Sequence, residues 1–307
     1  MARIVAAGHL NWDVTLRVRE LPDPDGEAQI IGQRRAGGGS AANVASALAG
    51  FGLDASLIGS VGTDPHGRMA RRELGKRGVD TAGVVSVSGE TTVKYLVVDR
   101  AGEVMVFAND GVNEAIGPAA LDATVLDGAA HLHLTGQRPD TAAKLIELAT
   151  EAGVTVSFDP GRRIERRAYE PLLDRVDVLL LNEREARAVL PAASGEGVAA
   201  AASPDRLIVV KRGPDGAAVY TGEAVYAHPG FEVATVDTTG AGDAFAAGFL
   251  AATIGGLTVG DRPRTETGYE RALLVANACG ALAVQAAGAR SAPDAAALRA
   301  FLAEHRA

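Results

Sequence analysis

Val236-Asp237-Thr238-Thr239-Gly240-Ala241-Gly242-Asp243-Ala244-Phe245 joins two apolar segments of different character. Before it, residues 231–236 alternate and read as a strand. After it, Ala244, Phe245, Ala246, Gly248, Phe249 and Leu250 read as a buried helix. Gly240 and Gly242 sit at the junction, where glycine lets backbone N–H groups converge. The helix start adds unpaired N–H donors and a partial positive charge. Together these make an anion hole suited to phosphate. Asp243 falls in the first helical turn, where the dipole favours its ionised form. Phosphoryl transfer to an alcohol needs donors for the moving group and a base for the attacking hydroxyl. From these residues alone, an Asp cap on an ordinary glycine turn is the alternative.

The run from Asp237 to Phe245 resembles the C-terminal signature of the ribokinase-like (PfkB) sugar kinases. The resemblance implies that Asp243 is the catalytic base and that Gly240, Ala241 and Gly242 form the anion hole. Gly37-Gly38-Gly39-Ser40-Ala41-Ala42-Asn43, opening a small-residue helix, is similar to the N-terminal signature of that family. It implies acceptor binding by Gly37, Gly38, Gly39 and Asn43. Taken alone, the stretch also fits a tightly packed helix, and its spacing is a poor dinucleotide fingerprint. Gly8-His9-Leu10-Asn11-Trp12-Asp13 matches a Gly-x-x-Asn-x-Asp opening. Asn11 and Asp13 follow the first strand, residues 4–7, where α/β sheets collect ligands. They are therefore expected to meet sugar hydroxyls, although Asp13 alone is also a good turn residue. His9 and Trp12 either line that pocket or pack.

Composition narrows the classes. The chain has 307 residues, 47% of them hydrophobic, enough for one large α/β unit. A net charge of -8 argues against nucleic acid or an anionic membrane as the main partner. The single Cys279 excludes an intrachain disulfide framework. No apolar run reaches membrane-spanning length, and the N-terminus reads as a strand, so a cytoplasmic protein is expected.

Four segments stand outside the βα rhythm: residues 14–18 and 28–32, then 92–98 and 103–107. They read as antiparallel strands of a small separate sheet. By resemblance this sheet, from about 14–35 and 91–108, is a lid over the acceptor and a homodimer contact. The rest alternates strand and helix. Gln137 follows one strand and is a candidate sugar contact. Asp159-Pro160-Gly161-Arg162-Arg163 resembles a turn whose arginine, here Arg163, reaches the nucleotide phosphates. Asn182 and Glu185 match an Asn-x-x-Glu motif that holds phosphate and, through water, Mg2+. Lys211, Gly213 and Gly216 border the nucleotide by the same resemblance, as do Thr238 and Asn277. A potassium ion is implied between Asp237 and the loop 288–291, with Ser291. Residues 260–268 read as a surface loop.

The expectation is an α/β ribokinase-like domain over residues 1–307. It has a mostly parallel sheet, helices on both faces and a β-lid. The implied activity is ATP- and Mg2+-dependent phosphorylation of a small sugar. A nucleoside or ribose 1-phosphate is the alternative acceptor, for which Arg34, Arg35, Arg138 and Arg162 leave room. A non-catalytic sugar sensor is the reading from another class.

Overall fold

The computed structural model describes residues 2–101, 103–190, 195–257 and 268–305. The chain begins with β1 (Arg3–Ala7), β2 (Asn11–Val18) and β3 (Ile30–Gly38). Next come α1 (Ser40–Gly50), β4 (Asp54–Gly62), α2 (Pro65–Lys76) and β5 (Val84–Val87). β6 (Val93–Val98) and β7 (Val104–Ala108) precede β8 (Ala129–Thr135), α3 (Pro139–Ala152) and β9 (Thr155–Asp159). α4 (Glu170–Leu173), β10 (Val178–Asn182), α5 (Glu183–Val189) and α6 (Gly195–Ala201) lead to β11 (Leu207–Lys211). The last elements are β12 (Ala217–Tyr220), β13 (Val225–His228), α7 (Ala241–Thr253), α8 (Gly268–Val284) and α9 (Ala295–Glu304).

The main sheet runs β13-β12-β11-β10-β9-β8-β1-β4-β5. All pairings from β11 to β5 are parallel, and only β12 and β13 turn antiparallel. Parallel strands covered on both faces must be apolar on both faces. β10 obeys this: Leu180 packs with α1, α7 and α8, whereas Leu179 and Leu181 pack with α3. The period of two splits Ile4 from Val5 in the same way. Helices therefore flank both faces, and the strand carboxyl ends line up along one rim.

The second sheet has the order β3-β2-β6-β7. It differs from expectation in one pairing. β2 and β6 run parallel, because β3, α1, β4, α2 and β5 intervene and return the chain in the same direction. Asn11 and Asp13 also lie within β2 rather than in a loop after β1. The strand expected over residues 231–236 does not form. β13 offers its edge to β12 alone, and Val236 and Asp237 instead donate N–H bonds to the Val284 carbonyl at the end of α8. The surface loop read over 260–268 falls, apart from Gly268, outside the described residues.

Candidate active site

α7 starts at Gly240, whose φ of +81° belongs to the left-handed region. A Cβ here would also lie 2.1 Å from the Ala289 carbonyl oxygen, so only glycine fits both the turn and the neighbouring loop. Ala244 N–H makes the first helical bond to Gly240, and Ala241 N–H turns back to the Thr238 carbonyl at 3.3 Å. The N–H groups of Gly242 and Asp243 are left without helical partners by the geometry of a first turn. Of the expected anion-hole donors, Ala241 N–H is therefore engaged locally, and the Gly242 N–H is free of a helical partner.

Asp243 keeps partial contact with solvent, yet the protein around it raises its carboxyl to about 6 through burial. Asp159 pushes in the same direction; Asn43, Lys211 and Ser40 oppose it. Desolvation therefore works against the helix dipole, and the carboxyl, at about 6, is still mostly ionised at neutral pH. Asn43 Nδ2 donates to Asp243 Oδ2 at 2.7 Å. Lys211 is ion-paired with Asp159. Burial opposes its charge, but Asp159, Glu185 and Asp243 hold the ammonium above its usual range.

A cleft of about 510 Å³ opens beside α7, within the range of a small-molecule site. Lys211, Gly213, Gly216, Thr238, Gly242 and Asn277 all line it. Asn277 Nδ2 sits 3.2 Å from His228 Nδ1. Asn182 and Glu185 lie on the next strand end, where they form a reciprocal capping box for α5. Glu185 N–H donates to Asn182 Oδ1 at 2.9 Å, and Asn182 N–H to Glu185 Oε2 at 2.8 Å. Glu185 is buried, and burial and then Asp159 raise its carboxyl. Arg163 is not among the residues lining the cleft; its stem lies against Gly136, within electrostatic reach of Arg167 and Glu114.

Asp237 joins two loops. Its Oδ1 accepts from Thr239 N–H at 2.9 Å and its Oδ2 from Gly288 N–H at 2.7 Å. The Ser291 hydroxyl donates to the Ala283 carbonyl at 2.9 Å. The loop 288–291 thus does fold against the signature.

The acceptor candidates gather on the lid side. Asp13 Oδ1 is buried with no hydrogen-bond partner, and burial raises its carboxyl against Lys94 and Arg290. Gly38 faces it closely: a Cβ there would lie 2.1 Å from Asp13 Oδ2. Gly37 N–H is taken by Glu73 Oε2 at 2.9 Å, and Gly39 caps α1. Asn11 accepts from Asn113 Nδ2. Gln137 is buried with its Nε2 unpaired.

The pfkB family of carbohydrate kinases matches residues 1–296. The chain belongs to this family. As a ribokinase-like protein it is an ATP-dependent kinase for a small sugar or nucleoside acceptor. It is 56% identical over 305 residues to an ATP-dependent ribose-1-phosphate kinase of Halopiger xanaduensis, covering 99% of both chains. A 2-dehydro-3-deoxygalactonokinase of Haloferax volcanii is 33% identical over 77% of this chain and 81% of its own. Among solved structures, an Arabidopsis thaliana ribokinase complexed with ribose and ATP is 26% identical. It covers 98% of this chain and 99% of its own, with a TM-score of 0.84.

One residue among these candidates was not singled out from sequence. Arg290 is buried and spans the acceptor side. Its Nη1 donates to Glu73 Oε1 at 2.9 Å, its Nη2 to the Gly38 carbonyl at 3.2 Å and its Nε to Asn43 Oδ1 at 3.3 Å. The local signal was an arginine inside the loop 288–291, already expected beside the signature.

Proposed function

We propose that this kinase transfers the γ-phosphoryl group of ATP to the free hydroxymethyl group of ribose 1-phosphate. The observation that carries it is the 56% identity, over 99% of both chains, to a ribose-1-phosphate kinase. The unpaired Asp13 oxygen and the base-to-Asn43 contact support an acceptor held between lid and α7.

In the reaction, Asp243 takes the proton of the attacking hydroxyl. That oxygen forms a bond to the γ-phosphorus while the bond from phosphorus to the β,γ-bridging oxygen breaks, and ADP leaves. The N–H groups of Gly242 and Asp243 meet the charge on the moving phosphoryl group. Asn43 holds Asp243 Oδ2 from α1 and so orients the carboxylate. Asp13 orients ring hydroxyls, which aligns the attack. Lys211 keeps a positive charge beneath the transferring group.

The cleft suits the nucleotide. Glu185 and Asp159 fit a Mg2+ ion held through water, because two neighbouring carboxylates with a single lysine leave room for a further cation. Among the described residues no group of three or more metal ligands occurs, so the phosphates and water complete such a shell. Bound with ATP, the ion neutralises phosphate oxygens. Potassium beside Asp237 and the loop 288–291 would stiffen the anion hole. Tyr95, Met105 and Phe107 leave an exposed apolar surface on one face of the lid, the face assigned to a homodimer.

The direct test is product identity. Incubation with ATP and ribose 1-phosphate should give a bisphosphate that retains the C1 phosphate and carries a new C5 ester, read by phosphorus NMR. Release of ADP without such a product would sink the assignment.

A further inference from the structure

The carboxyl ends of β1, β8 and β9 carry a second charged group, distinct from Asp243 and Lys211. His9 follows β1, Gln137 follows β8, and Arg163 and Arg167 follow β9. They gather around Glu114. Its Oε1 lies 2.9 Å from His9 Nε2 and 2.7 Å from Arg167 Nη1. Burial foremost keeps the His9 imidazole below its ordinary range, and so neutral. One carboxylate therefore faces two guanidinium groups, and the group is left with net positive charge.

Arg163 is the uncompensated member. Among the described residues no carboxylate lies within ion-pair reach of it, the nearest acid, Glu114, being taken by Arg167. Its stem packs on Gly136, where an added Cβ would lie 3.3 Å from Arg163 Cδ. Gln137 next to it is 7% exposed, and its Nε2 has no partner. Gln137 lines a narrow crevice of about 10 Å³ with Gly8, Gly59, Asn113, Glu114 and Arg138; Arg163 and Arg167 stand outside it, so an anion would sit at its mouth rather than within it. A buried amide donor without a partner is costly, and the half-buried Arg163 beside it carries a charge that no carboxylate among the described residues offsets.

Position along the rim says which anion. Asp159, which acts on Asp243, ends β9, and β1 lies two strands away, about 10 Å at ordinary strand spacing. Asn113, in the crevice wall, holds Asn11 of the acceptor side. A pentose reaching from Asp243 to this crevice would present its attacked hydroxyl at one end and its anomeric substituent at the other. We propose that Arg163, with the Gln137 amide and Arg167, binds a phosphate carried by the acceptor at the end remote from the attacked hydroxyl. Glu114 and His9 position Arg167 for that contact. The proposal rests on the sugar-phosphate function above, and it moves Arg163 from the nucleotide to the acceptor.

The test is steady-state kinetics of wild type, Arg163→Gln, Arg163→Lys and Arg34→Gln. Ribose 1-phosphate and unphosphorylated ribose serve as acceptors, and inorganic phosphate as competitor. In Arg163→Gln, KM for ribose 1-phosphate should rise roughly 10- to 100-fold, the loss expected for one charge-assisted contact. KM for ATP should stay unchanged, inorganic phosphate should cease to compete with the acceptor, and Arg163→Lys should recover part of the affinity. A KM within about twofold of wild type overturns the proposal. So does a large effect in Arg34→Gln with none in Arg163→Gln, which would seat the phosphate on the lid. If wild type phosphorylates ribose but no sugar phosphate, the function above fails by itself. Competition by inorganic phosphate that disappears in Arg163→Gln would then still support the pocket, and competition that persists would overturn it.

Discussion

Asp243 carries two opposing demands. As the proposed base it must be ionised near neutral pH, yet burial lifts this carboxyl to about 6. The rate should therefore fall about tenfold per pH unit below that value, as the base becomes protonated. Asp243→Asn should cut kcat roughly 10²–10⁴-fold with ATP binding retained, checked by turnover and by calorimetric titration of ATP. The same substitution should stabilise the fold. A carboxyl whose folded value lies above its unfolded value favours the native state at low pH, and this contribution is lost as pH rises from about 4 to about 6. Removing the ionised form should then add on the order of 1 kcal/mol at pH 7, allowing for its partial exposure. The comparison is of thermal midpoints at pH 7 and pH 4, with the difference shrinking at the lower pH. Arg290→Ala should do the reverse. It strips a buried cation from Glu73 and Asn43 and should cost about 3 kcal/mol in denaturant unfolding.

At the scale of elements, the start of α7 and the loop 288–291 act as one unit. Gly240→Ala would place a methyl on the Ala289 carbonyl and force alanine to a φ of +81°. It should lower kcat by at least about tenfold while changing the ATP constant less, because displaced N–H donors cost the transition state most. A potassium ion holding the same loops should raise kcat above its value in sodium at matched ionic strength. Equal rates would remove that ion. The signature itself was legible in the sequence, since two glycines, an aspartate and an apolar helix lie within ten residues. The partners were not. Asn43 and Asp243 are 200 residues apart, and Arg290 reaches Glu73 across 217. No local pattern records such closures. Residues 231–236 were misread because alternation was present while the backbone at the end of this stretch bonds to the Val284 carbonyl of α8 instead of to a strand. β5, β12 and β13 have four residues each, too few for a period to register.

For the whole molecule, the row of strand ends explains the division of labour. Lys211 and the 510 Å³ cleft stand at β11, Asp159 at β9, and Gln137 and Asn11 toward β8 and β1. The lid closes the far side and leaves Tyr95 and Phe107 exposed. Phe107→Glu should turn a dimer into a monomer in sedimentation analysis; an unchanged sedimentation coefficient would take the lid out of any assembly. Helices on both faces and the doubly covered strands were readable from their apolar runs. The parallel pairing of β2 with β6 was not, because it depends on the path through five intervening elements.

The most direct measurement is kcat/KM for a panel of acceptors at fixed ATP and Mg2+, followed by ADP release. The panel holds ribose 1-phosphate, ribose, fructose, 2-dehydro-3-deoxygalactonate and a nucleoside. The expected result is a preference for ribose 1-phosphate of roughly 100-fold or more over each of the others, abolished in Asp243→Asn. A nucleoside or unphosphorylated sugar turned over as well as ribose 1-phosphate, or an Asp243→Asn enzyme of near-normal kcat, would contradict it.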